Sequence, residues 1–209
     1  MTDASKNDAA IDTVIFDVGQ VLYRWDLRHL YEKLIDDPEE LDWFLGHVVT
    51  PEWHFQHDAG RPLAEMVPEQ IAEFPQYEPH IRAYAERFTE SIPGPVEGMH
   101  DLARRLANRK VALYGLTNFG AEFWQMFRPT APVFDLFRDV LVSGEEKLAK
   151  PDPAIYHLAL QRFSIAPEQC LFVDDRPENI AAGEALGIRG HCFADAGELE
   201  RELELLQLL

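Results

Sequence analysis

The sequence predicts an α/β protein, a Rossmann-like parallel sheet core with a small α-helical cap inserted after the first strand. Three observations carry this. Short, almost wholly apolar runs alternate with amphipathic stretches, the pattern of strands covered by helices on both faces. Those runs end on side chains able to do chemistry. One long segment near the N-terminus breaks the alternation, being helical and aromatic with no convincing strand.

Thr13-Val14-Ile15-Phe16 is the first apolar, β-prone run and ends at Asp17. Residues 111–116 form the second, ending at Thr117, and residues 139–142 the third, ending at Ser143. Residues 170–173 form the fourth, ending at Asp174-Asp175, and residues 189–193 a fifth. Helical patterns lie between them. Val96, Met99, Leu102, Ala103 and Leu106 share one stripe of a helix over 96–108. Segments 153–163 and 177–186 each open with a proline, whose missing N–H costs nothing in a first turn. Residues 199–209 read as a C-terminal helix. The interruption runs from about Leu27 to Ile92 and contains Trp43, Phe44, Trp53, Phe55, Phe74, Tyr77, Tyr84 and Phe88. It leaves through Ile92-Pro93-Gly94-Pro95, a stiff turn-rich hinge. The expected units are a core of residues 1–26 and 93–209 and a cap of residues 27–92.

Composition bounds the function. A chain of 209 residues with 46% apolar side chains builds a packed core and is not disordered. Lys and Arg number 19 against 37 Asp and Glu, a formal charge of -18, so neither nucleic acid nor an anionic membrane is expected as a partner. The same charge repels phosphorylated molecules, so a phosphate site must supply its own local positive charge. No apolar run approaches the roughly 20 residues that cross a bilayer. The opening MTDASKNDAA lacks a signal-peptide pattern, so a cytoplasmic location is expected. Cys170 and Cys192 sit in apolar stretches and read as buried thiols of a reducing compartment. A monomer or homodimer is expected.

Open parallel sheets bind ligands at the carboxyl ends of their strands. One surface should therefore collect Asp17, Thr117, Ser143, Asp174 and Asp175, with Lys150 on the loop after Ser143. A carboxylate at the tip of a buried strand, as Asp17 is, can act as nucleophile or metal ligand. The adjacent carboxylates of Asp174 and Asp175 repel each other, which a cation relieves, and hard oxygen ligands favour Mg2+. Lys150 is held by Pro151 and the helix that follows, and it could neutralise charge building on a phosphoryl group; Lys147 reads as a solvated loop charge. Thr117-Asn118 opens a turn before a helix, a place where a hydroxyl and backbone N–H groups bind anions.

The order of these signals carries more than any one of them. Phe16-Asp17-Val18-Gly19-Gln20-Val21-Leu22, Leu116-Thr117-Asn118, Lys150-Pro151-Asp152-Pro153-Ala154-Ile155-Tyr156 and Phe172-Val173-Asp174-Asp175 resemble the four signatures of the haloacid dehalogenase-like (HAD) hydrolases, over most of the chain. Gly19, two places after the nucleophile, and the segment Glu52-Trp53-His54-Phe55-Gln56-His57-Asp58-Ala59-Gly60 resemble the bacterial α-glucose-1-phosphate phosphatase branch. The resemblance implies a phosphatase acting on a small phosphorylated metabolite such as a sugar phosphate, through an aspartyl-phosphate at Asp17. It implies Mg2+ held by Asp17, the Gly19 carbonyl and Asp175, with Asp174 in or beside its shell. Thr117, the Asn118 N–H and Lys150 would hold the phosphoryl oxygens, and Asn179 would stand behind the metal ligands. Trp53 and His54 would face the substrate from the cap.

Gly19 is a departure, because phosphatases of this superfamily usually carry there the aspartate that protonates the leaving oxygen. Asp26, Asp58, His54 and His57 are the candidates to replace it. The alternative is an L-2-haloacid dehalogenase using the same aspartate, since halide leaves without a proton. Against it stand the Asp174-Asp175 pair and a Val-Gly-Gln run where dehalogenases usually carry Tyr-Gly-Thr. A binding module that has lost catalysis is a third class, with Gly19 as its only support.

Overall fold

The computed structural model describes residues 10–209. The expectation that no signal peptide opens the chain concerns residues 1–9 for the most part, which lie outside the described residues. Strand β1 (Thr13–Phe16) is buried along its whole length and is followed by a two-residue strand β2 (Tyr23–Arg24). Five helices come next: α1 (Arg28–Tyr31), α2 (Pro38–His47), α3 (Pro51–Asp58), α4 (Leu63–Glu73) and α5 (Glu78–Arg87). The chain returns through β3 (Gly94–Pro95), α6 (Met99–Asn108), β4 (Ala112–Thr117) and α7 (Ala121–Phe127). It then forms β5 (Asp139–Val142), α8 (Ser143–Glu146), α9 (Pro153–Phe163), β6 (Cys170–Asp174), α10 (Pro177–Glu184), β7 (Arg189–Cys192) and α11 (Ala196–Leu205).

Five strands make one parallel sheet in the order β5-β4-β1-β6-β7. β1 is central, and the strand order reverses around it. In this register Phe16 lies beside Gly115 on one side and Val173 on the other, which brings Asp17 level with Leu116 and Asp174. Successive residues of each strand face opposite sides, as the pleat requires. Val14 and Phe16 join the apolar cluster that runs into the helices after β2, whereas Ile15 joins the cluster under α9 and α10.

Every expected strand forms, with small shifts at the ends. The helix expected over 96–108 begins at Met99, because Gly98 takes a left-handed φ of 81° that ends the preceding extended segment. The C-terminal helix starts earlier than 199, since the Asp195 side chain caps it by accepting from the Glu198 N–H at 2.9 Å. The antiparallel pair β2–β3 was not foreseen: Tyr23 lies opposite Pro95 and Arg24 opposite Gly94, so the two passes of chain around the helical insert are zipped together. Cys170 is buried as expected, but Cys192 is exposed, because it alternates with His191 on an edge strand and faces outward. Among the described residues no helix is long and apolar enough to cross a membrane.

Aromatic rings join the insert to the sheet. Phe123 of α7 stacks on Phe88 with centroids 3.7 Å apart and meets Tyr84 and His57 edge-on. Truncating this ring removes contacts on both sides of the joint. Phe123→Ala should cost about 3–5 kcal/mol of stability, read as a lowered midpoint in urea unfolding.

Candidate active site

The carboxyl ends of β1, β4 and β6 meet at one buried ammonium group. Lys150 is 2% exposed, although it lies on a loop. Its Nζ lies 2.9 Å from Asp17 Oδ1 and 2.7 Å from Asp174 Oδ2, and it donates to the Leu116 carbonyl at 2.9 Å. Asn118 holds the Lys150 backbone from both sides: its Nδ2 donates to the Lys150 carbonyl at 2.9 Å, and its Oδ1 accepts from the Lys150 N–H at 2.8 Å. Burial works against the ammonium, but the carboxylates of Asp17 and Asp174 outweigh it and hold the lysine pKa above its ordinary value. Burial raises the Asp17 carboxyl, opposed by Lys150 and assisted by the negative charge of Asp174.

The two oxygens of Asp17 are not equivalent. Oδ1 accepts from the Val18 N–H at 2.7 Å and faces Lys150, while Oδ2 accepts no hydrogen bond among the described residues. Asp174 is fully occupied. Its Oδ1 accepts from the Arg176 N–H and Asn179 Nδ2, both at 2.9 Å, and its Oδ2 takes Lys150 and a longer bond of 3.1 Å from Asn179. Asn179 therefore orients Asp174. Asp175 is partly exposed, and burial followed by the nearby Asp174 charge raises its pKa.

Carboxylate oxygens of Asp17, Asp174 and Asp175 all lie within 4.8 Å of one another. Three carboxylates face one ammonium, which leaves two negative charges uncompensated when all are ionised. Hard oxygen donors with that residual charge fit a divalent cation. Asp17, Asp175 and the Gly19 carbonyl could hold it, with Asp174 tied behind them.

A cavity of about 500 Å3 opens above these groups. Asp17, Gly19, Asn118, Lys150 and Asp175 line its floor, and Tyr23, Trp25, Phe55, Phe88, Phe119 and Phe127 give it a largely aromatic body. Arg24 also lines it and supplies local positive charge, whereas Arg176 on the same wall is paired with Glu178 at 2.7 Å. His54 is on the wall, stacked on Trp25 at 4.7 Å, and burial pushes its pKa down to about 4. Trp53 is not: it is buried against Tyr84 with centroids 4.7 Å apart, since the neighbouring position on a helix points about 100° away from His54. Thr117 is 1% exposed and does not reach the cavity wall. Ser143 is buried and serves the turn after β4, accepting from the Phe119 N–H at 2.9 Å. Lys147 is exposed, as expected.

Of the candidate acids, Asp58 and His54 line the cavity, whereas Asp26 and His57 do not. Asp26 is exposed and accepts from the Arg28 N–H at 2.8 Å, and His57 Nδ1 is paired with the Arg61 carbonyl at 2.8 Å. Tyr23, Arg24, Trp25, Phe127 and Arg176 are cavity residues missed in the sequence, and Trp25 shows why. It stands beside the hinge, and only its packing on His54 turns it inward.

The match to the HAD-like hydrolase model spans residues 11–187, and the chain belongs to the haloacid dehalogenase-like hydrolase family. It is 29% identical to the sesquiterpene phosphatase astK of Aspergillus oryzae over 93% of this chain and 95% of that one. Its fold is similar to that of a HAD-like family hydrolase of Porphyromonas gingivalis, with a TM-score of 0.73 and 20% identity over 95% of this chain and 99% of that one. A HAD family enzyme of Bacteroides thetaiotaomicron, solved with magnesium and inorganic phosphate, superposes with a TM-score of 0.67 and 22% identity over 90% of this chain and 98% of that one. The chain is thus an enzyme of a hydrolase family with phosphatases among its relatives.

Two buried groups at the cavity oppose each other in pH. Burial raises Asp58 from 3.8 to about 7, so its contribution to stability is present below 3.8 and is lost as pH rises through about 7. Burial lowers His54 from 6.5, so its contribution is present above 6.5 and is lost as pH falls toward about 4. Asp58→Asn removes only the first slope. Its stability relative to the wild type should rise between about pH 5 and about pH 8, read from urea midpoints of the two proteins at both ends.

Proposed function

We propose that this chain is a magnesium-dependent phosphatase that hydrolyses a small phosphorylated metabolite through an aspartyl-phosphate at Asp17. The observation that carries this reading is the convergence of Asp17, Asp174 and Asp175 around buried Lys150, with Asp17 Oδ2 unpartnered at the base of the cavity. Asp17, Asp175 and the Gly19 carbonyl would hold Mg2+, which would neutralise the carboxylates and supply Lewis-acid polarisation of a phosphoryl group.

Asp17 attacks phosphorus and the leaving oxygen departs; water then cleaves the aspartyl-phosphate. Lys150 stays protonated between its carboxylates and balances charge on the transferring group. Asn118 fixes Lys150 and presents its own backbone to the phosphoryl oxygens, while Thr117 supports the turn from behind. Residues 27–92 act as a cap whose closure excludes water, on a hinge made by the β2–β3 pair. The cytoplasm is the proposed location. The convergent carboxylates favour this chemistry over the dehalogenase alternative, which requires no cation.

The cavity narrows the substrate. Its aromatic body favours a monophosphate with a hydrocarbon body over a polyhydroxylated sugar, each buried methylene being worth about 0.8 kcal/mol. The likeness to a sesquiterpene phosphatase supports the same reading.

Phosphate release over a metabolite panel should appear with Mg2+ and vanish with EDTA, and Asp17→Asn should be inactive yet still cooperatively folded. Full activity in metal-free protein is the result that sinks the proposal. Within the panel, branched or cyclic hydrocarbon monophosphates should show the higher kcat/KM. Trp25→Ala should reduce that preference by about tenfold, whereas Trp53→Ala should lower stability without changing the order of substrates.

A further inference from the structure

We infer that Asp58 is the acid that Gly19 does not supply: it protonates the leaving oxygen in the first half-reaction and takes a proton from water in the second. The inference rests on the phosphatase reading above. Gly19 leaves open space beside the nucleophile, since a Cβ built there meets nothing within 4 Å. Asp58, the last residue of α3, reaches the same cavity from the insert.

Its position is built into the core. The Asp58 carbonyl accepts from Ser143 Oγ at 2.5 Å, and the Gly120 N–H lies near enough to its carboxyl group to pull its pKa down. Gly120 lies on the turn after β4 that carries Asn118, the residue clamping Lys150. Ser143 Oγ also accepts from the Phe119 N–H at 2.9 Å, so the Asp58 backbone is tied to that turn, and its carboxyl group is close enough to feel the charge of Lys150. Glu52 and Glu178 also line the cavity, but both are exposed, and Glu178 is bound by Arg176 at 2.7 Å.

The surroundings leave Asp58 able to hold a proton. From its own helix, His54 Nε2 lies 3.3 Å from Asp58 Oδ2, and burial keeps that imidazole neutral. Tyr84 of α5 bonds His54 Nδ1 at 2.6 Å, and Glu122 of α7 stands 3.6 Å from His57. His57, the Gly120 N–H and Lys150 each pull Asp58 down, and burial outweighs them to place it at about 7. Both protonation states are then populated at neutral pH, as successive acid and base roles require.

The protons and bonds balance. Asp17 forms a bond to phosphorus as the bond from phosphorus to the leaving oxygen breaks, and the Asp58 proton passes to that oxygen to give the alcohol. Water then attacks phosphorus, its proton passes to the Asp58 carboxylate, and the Asp17 carboxylate leaves with its electron pair.

The test compares leaving groups. Full-length wild type, Asp58→Asn and Glu52→Gln, each with Mg2+, are assayed on p-nitrophenyl phosphate and on alkyl monophosphates. Nitrophenolate leaves without a proton, so Asp58→Asn should keep its aryl kcat/KM, which reports the first half-reaction, within a few-fold, which also shows that it is folded. Its aryl kcat should fall, because the second half-reaction loses its base. Its kcat/KM on alkyl phosphates should fall by about 10²–10⁴-fold. The wild-type decline in alkyl kcat/KM above about pH 7 should vanish in that variant. An equal loss of kcat/KM on both substrate classes makes Asp58 a positioning residue and overturns the inference. So does an unchanged alkyl-to-aryl ratio, or a selective alkyl loss in Glu52→Gln instead. A wild type that releases no phosphate from any substrate overturns the phosphatase reading itself, and the acid with it.

Discussion

The structure depends on a lysine buried between two carboxylates. Lys150 Nζ lies within hydrogen-bonding distance of Asp17, Asp174 and the Leu116 carbonyl, and so touches the ends of the three central strands at once. An ammonium at 2% exposure survives there because its charge is paired and its donors are used. Removing it would leave adjacent strand tips carrying buried, unpaired negative charge. The same pairing orients the carboxylates and leaves Oδ2 of Asp17 without a hydrogen-bond partner among the described residues.

Under the proposed function, that constraint explains how a chain of charge -18 could take a phosphorylated molecule. Long-range repulsion from the surface is screened by salt over about a Debye length of 8–10 Å. The local field at the cavity floor is set by Lys150, by Arg24 on the wall, and by any cation held among the three carboxylates, since Arg176 is already paired with Glu178. Under the proposed function, selectivity for charge is local, while the aromatic body above it selects by shape and desolvation.

The insert is joined to the core by two different kinds of contact. Rings of Tyr84, Phe88 and Phe123 make an apolar seam, and Ser143, bonded to both the Asp58 carbonyl and the Phe119 N–H, makes a polar one. Gly120 is needed at this seam because a Cβ there would lie 2.0 Å from the His57 ring. The approach of α3 to the turn after β4 is therefore closer than any side chain at that position would permit.

By itself the sequence determined the alternation of buried strands and helices, the interruption after the first strand and the carboxylates at the strand ends. These are local properties: apolar runs, proline at helix starts and polar residues where the runs stop are legible residue by residue. The choice of Lys150 over Lys147 was also legible, because Pro151 and a helix start follow the first. What the tertiary structure decided was direction and adjacency. Trp53 and His54 are neighbours in the chain, yet packing sends Trp53 into the core and His54 to the cavity. Cys192 sits in an apolar run but faces outward, since it lies on an edge strand. Trp25 enters the site only through stacking on His54, and the β2–β3 pair joins residues about seventy positions apart. Asp26, Asp58, His54 and His57 were equivalent as candidate acids in the sequence, because contact across a fold has no signature in local spacing; only the meeting of α3 with the turn after β4 separates them.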